Sequence, residues 1–181
     1  MKTLIIHPTD KSTTFLDIVY KNIEDKTVVT GGVTVAELNE LIESHDRVMM
    51  MGHGCPTGLF SVGVFPDARG LIINEQTVPL LQKKDNSVFI WCNADKFVEY
   101  YDLKGFYSGM FISEVGEADY CKVYGTDQEI VDESNYGFVN IISKYINEDK
   151  NAIYDKVKQE YGLIAESNPV AYYNNNRLYK F

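Results

Sequence analysis

Basic residues are scarce in this chain: 17 Lys and Arg stand against 26 Asp and Glu, giving a formal net charge of -9. Such a surface repels a phosphate backbone, so nucleic acid is not an expected partner. Cysteine is scarcer still, with only Cys55, Cys92 and Cys121. An odd number of widely spaced thiols argues against a disulfide framework and fits a reducing compartment, which makes the cytoplasm the expected location. Long hydrophobic runs are missing as well: no stretch approaches the roughly 18–20 apolar residues of a membrane span, and "MKTLIIHPTDKSTT" has too short an apolar run for a targeting signal. No membrane partner is expected. Internal repeats, low-complexity tracts and linkers are also lacking, so the 181 residues are read as one domain, 1–181.

What is present is an alternation of apolar runs and helical periodicities. "TLIIH" reads as a strand, and "STTFLDIVYKNI" spaces Phe15, Ile18, Val19 and Ile23 as a helix does. "KTVVTGG" gives a second strand. Thr34 and Glu37 then form a capping-box pattern ahead of "VAELNELIES". "DRVMMMG" is a continuous apolar run, as a parallel strand covered on both faces requires. "LFSVGVF" and "LIIN" flank a turn as short antiparallel strands, and "NEQTVPLLQKK" carries a short helix around Pro79. "SVFIWCNAD" repeats the strand that ends abruptly in polar residues, with "DKFVEYYDL" helical behind it and "YSGMFIS" as the next strand. The remainder is mostly helical, and the Tyr- and Asn-rich tail, about 165–181, reads as an extended segment that packs aromatics on the domain or serves a partner surface. Strands alternating with helices predict an α/β fold with a mostly parallel sheet, whose sites collect at the carboxyl ends of the strands.

The stretch "MMMGHGCPTG" empties one such strand into a glycine-rich turn. A phosphate-binding loop is disfavoured, because Gly52, Gly54 and Gly58 lead into a strand pattern rather than a helix and no P-loop lysine is present. His53, Cys55 and Cys92 match no strong zinc spacing, so no metal or other cofactor is expected. A cysteine–histidine site fits better. If the two strands are parallel neighbours, about 4.8 Å apart, His53 and Cys92 emerge over the same edge. Gly54, lacking Cβ, lets a substrate carbonyl approach its N–H, which with the Cys92 N–H makes an oxyanion hole. The helix after Cys92 is expected to lower the thiol pKa. His7, Cys55, Trp91, Asn93, Asp95 and Glu114 are candidates for the cleft walls, His7 and Cys55 having structural roles as the alternative. Cys121 reads as core, Asp10 and Ser12 as helix caps, and His45 as a helix-terminal residue. Only Arg47, Arg69 and Arg177 are available to clamp an acidic side chain, while Asp95, Glu99, Glu114, Glu117 and Asp119 follow the cysteine. The balance leans toward a basic or neutral residue before the cut.

"VMMMGHG" followed by "SVFIWC" resembles the His-Gly and strand-end Cys motifs of the caspase-like cysteine peptidases, the group of caspases, clostripain, gingipains and CHAT domains. The resemblance covers residues 3 to 147. It implies a three-layer α/β/α sandwich and a Cys-His dyad without an obligatory third member, with Cys92 as nucleophile and His53 protonating the leaving amine of a peptide or protein substrate. Trp91 departs from the small residue common before the family's cysteine, and a non-catalytic relative that binds a protein or peptide is the alternative reading.

Overall fold

Leu4 and Ile6 face one side of the central sheet and Ile5 the other, and the same alternation runs through every buried strand. A computed structural model describes all 181 residues. In chain order it contains β1 (Thr3–Ile6), a 3-10 turn (Lys11–Leu16) leading into α1 (Asp17–Tyr20), β2 (Lys26–Val29), α2 (Val35–Ser44) and β3 (Arg47–Met51). A hairpin region follows, with β4 (Gly54–Cys55), β5 (Gly58–Phe60) and β6 (Leu71–Ile73), then α3 (Val78–Leu81), β7 (Ser87–Ile90), α4 (Ala94–Tyr100) and β8 (Gly105–Ser108). The last third is α5 (Val115–Tyr120), α6 (Gln128–Tyr145), α7 (Lys150–Ala165), α8 (Pro169–Asn175) and β9 (Leu178–Lys180).

Six strands form one sheet in the order β2-β1-β3-β7-β8-β9, parallel except for β9, and β4-β5-β6 form a small antiparallel sheet. The fold is therefore α/β with a mostly parallel sheet, as the alternation of patterns predicts. Met49, Met51, Val88 and Ile90 pack on one side against Val19, Phe138 and Val157 of α1, α6 and α7. Met50, Phe89 and Trp91 pack on the other against Leu38, Leu81 and Phe97 of α2, α3 and α4. Helices on both faces are compatible with three layers. No helix is long and apolar enough to cross a membrane.

Local chemistry explains most boundaries. The capping box forms as read: Thr34 Oγ1 accepts from the Glu37 N–H (3.2 Å) and Glu37 accepts from the Thr34 N–H (2.7 Å). Two expectations need correction. The strand expected in "YSGMFIS" begins two residues earlier and ends at Ser108, because Phe106 pairs with Val88 while the chain beyond Gly109 leaves the sheet. The tail is not extended throughout. Asn168 caps a helix by accepting from the Ala171 N–H (2.9 Å), Pro169 starts it, and only the last residues extend, as β9 against β8.

Candidate active site

The register Met51↔Ile90 on adjacent parallel strands sets the site. Two residues beyond each partner, the chain delivers His53 and Cys92 to the same carboxyl edge. Both line one narrow slot of about 20 Å³, together with Gly52, Trp91, Phe111 and Ser113. That volume admits about one water. No hydrogen bond joins the two side chains; each has other partners.

His53 Nε2 lies 2.6 Å from Ser12 Oγ, which lies 2.6 Å from Asp10 Oδ1. The serine has one proton, and the carboxylate can only accept, so Ser12 donates to Asp10 and accepts from Nε2–H. Nδ1, free of hydrogen bonds, is left as the basic nitrogen of the neutral ring. The Ser12 hydroxyl and amide also hold the Asp10 carboxyl below its usual range. The sign follows: this carboxylate favours the fold above its ordinary pKa, and the contribution is lost as pH falls through the lowered value. Ser12→Ala is expected to weaken the preference for the Nε2–H tautomer by roughly fivefold, the worth of about 1 kcal/mol of hydrogen bond. Nitrogen chemical shifts of the imidazole measure it, and an unchanged tautomer ratio would remove Ser12 from this role.

Cys92 is held differently. Its Sγ donates to the Phe111 carbonyl (3.3 Å) and approaches Glu117 Oε1 (3.7 Å). Burial first, and then the charge of Glu117, push the thiol up to about 12. The expected lowering by α4 does not occur. That helix begins two residues on, after Asn93 in the left-handed region (φ 65), and the sulfur faces oxygen acceptors instead.

The Cys92 N–H makes no hydrogen bond. His53 O accepts from the Phe60 N–H (2.9 Å), which makes the next pair, Gly54↔Leu59, a non-hydrogen-bonded one and turns the Gly54 N–H away from β5. Gly54 is also fixed by a neighbour: a Cβ there would lie 2.3 Å from Trp91 Cδ1. Trp91 is buried and donates Nε1–H to the Cys55 carbonyl (3.1 Å), tying the histidine turn to the cysteine strand.

The other candidates divide. Trp91 lines the slot, whereas Cys55 sits on the hairpin with its sulfur 3.1 Å from Thr57 Oγ1. His7 is buried beneath the edge, bonded to Tyr20 (3.1 Å) and Thr13 (3.2 Å), and burial lowers its pKa. The Asn93 N–H is taken by the Gly109 carbonyl (3.1 Å), and Asp95 is buried in α4 near Lys96 (3.3 Å). Cys121 is only half-buried, at the end of α5. Glu114 borders a larger groove of about 490 Å³, which runs between Lys11 and Ser12, the Ser113–Gly116 turn, and Asp132 of α6. Groove and slot share Phe15 and Ser113.

No family model and no curated protein matches this chain. None of the arginines lines slot or groove. Arg47 is wholly buried at the start of β3, Arg177 stacks 3.5 Å over Tyr173, and Arg69 borders a separate cleft with Thr57 and Tyr101. Asp10 caps as expected, accepting from the Ser12 N–H (2.9 Å), but the pair also reaches His53. Their place just beyond the carboxyl end of β1 was the available signal.

Proposed function

We propose that this chain is a caspase-like cysteine endopeptidase with a three-layer α/β/α fold, acting through Cys92 and His53. The observation that carries the reading is the shared slot at the ends of neighbouring parallel strands. In the reaction the thiol proton passes to His53 Nδ1 and the sulfur attacks the peptide carbonyl, forming the Sγ–C bond. The carbonyl oxygen takes the negative charge, for which the Gly54 and Cys92 N–H groups are the available donors. As the tetrahedral species collapses, the C–N bond breaks and His53 returns the proton to the leaving amine. Water, deprotonated by the same imidazole, then opens the acyl-enzyme. The groove beside the slot provides a place for substrate, and its charged lining of Lys11, Glu114 and Asp132 supports a basic or neutral residue before the cut.

A second reading, a peptide-binding module with a disused dyad, is favoured by the protonated thiol and the 20 Å³ slot. A peptide library followed by mass spectrometry separates the two. Hydrolysis predicts discrete products that disappear with Cys92→Ala and fall by at least about 10²-fold with His53→Ala. A library left intact from pH 5 to 9, yet retained by the protein, would favour the binding module.

A further inference from the structure

We propose that Glu117 is a latch that closes the Ser113–Glu117 segment, the entry into α5, over Cys92 and sets its carboxylate against the sulfur, so that the sulfur becomes a nucleophile only when this turn lifts. The inference rests on Cys92 being the reactive group of the proposed peptidase.

One carboxylate does both jobs. Oε2 accepts from the Ser113 N–H (2.7 Å), the Ser113 hydroxyl (3.0 Å) and the Glu114 N–H (3.2 Å), while Oε1 faces Cys92 Sγ at 3.7 Å. The turn is thus wrapped around the same group that opposes the thiolate. Burial is the larger cause that disfavours the thiolate, and a carboxylate in contact with the sulfur adds to it by opposing a second negative charge. Cys121 at the end of α5 and Tyr173 on α8 are the other titratable groups that act on this sulfur, with His53 across the slot. Neither the Cys121 nor the Tyr173 side chain bonds the turn, whose one other side-chain tie is Asn135 of α6 donating to the Ser113 carbonyl (2.9 Å). The turn also forms a wall of the 490 Å³ groove, so a peptide seated there presses on the segment whose displacement exposes Cys92. Release of the nucleophile is thereby coupled to occupancy of the groove.

The test is the pH dependence of iodoacetamide alkylation, read for each cysteine by peptide mass spectrometry. Glu117→Gln keeps an oxygen for the Ser113 N–H and replaces the repelling charge by an amide. It is expected to raise the Cys92 rate at pH 8 by about tenfold and move the midpoint of its pH profile down, with Cys55 unaffected. A folded variant with an unchanged profile overturns the latch. In the unmodified chain, hydrogen exchange at the Ser113 and Glu114 amides and alkylation of Cys92 should report one opening equilibrium. Alkylation much faster than that opening allows would overturn it equally. Neither readout uses peptide cleavage: a variant that gains thiol reactivity and cuts nothing sinks the peptidase reading and keeps the latch, and the converse sinks the latch alone.

Discussion

Arg47→Ala is expected to destabilise the fold by about 3–5 kcal/mol, seen as a lower midpoint in urea unfolding. Arg47 is wholly buried on the first residue of β3, with no carboxylate beside it. Its Nε donates to the Asn86 carbonyl (2.8 Å) and its Nη1 to the Ile146 carbonyl. These acceptors belong to the segment entering β7 and to the residue closing α6, so one side chain ties sheet to helical layer. Truncation leaves a cavity and strands two buried carbonyls at about 1–3 kcal/mol each. Arg47→Met refills the volume and leaves the carbonyls, so its cost should be roughly half. Equal losses for both variants would mean that packing contributes nothing. Burial also lowers the guanidinium to about 10. A base with a depressed folded pKa opposes folding while it is charged, so at neutral pH the full penalty applies, and it is relieved only as pH rises from about 10 towards the unfolded value. The hydrogen bonds to two carbonyls offset that penalty, while Nη2 is buried without a partner.

The same arginine shows what was legible in the sequence. Within "DRVMMMG" the three methionines announce a strand covered on both faces, and the run does form β3. Nothing local says that the preceding arginine is buried with it, since its acceptors lie 39 and 99 positions away. α2 was readable because its capping box is contained in four residues. The pattern draws β8 too far along the chain because "MFI" is a more apolar run than "FYS", and only pairing with β7 selects the latter. Its edge partner β9 has three residues and no pattern of its own. At the site, the rule that function gathers at the carboxyl ends of parallel strands singled out His53 and Cys92. It could not supply Ser12 as the partner of His53 across 41 positions, nor show that the capping box of α5 closes around the sulfur.

Trp91→Ala should match the arginine in cost, about 3–5 kcal/mol, and should also dismantle the site. The indole is 1 % exposed, packs against Phe89 and Phe97 at ring separations of 5.8 Å, and holds the Cys55 carbonyl. Without it the β4–β5 hairpin loses its side-chain tie to the cysteine strand, and the histidine turn keeps only the backbone bond from the Gly52 N–H to the Ile90 carbonyl (3.1 Å). Gly54 makes this separable from a direct role in catalysis. If that glycine served only the approach of a substrate carbonyl, Gly54→Ala would leave the unfolding midpoint unchanged and slow acylation alone. A methyl group 2.3 Å from Trp91 Cδ1 cannot be accommodated without moving the ring or the turn, so a loss of about 1–3 kcal/mol is expected in the absence of any substrate. In a Trp91→Ala background the same substitution should cost less, though not nothing, because the Gly58 carbonyl still lies 2.7 Å from the new carbon. A double-mutant cycle on unfolding free energies reads the difference. Strictly additive losses would mean that indole and glycine do not constrain one another, and the His53 turn would then owe its position to the hairpin's own hydrogen bonds rather than to the strand that carries Cys92.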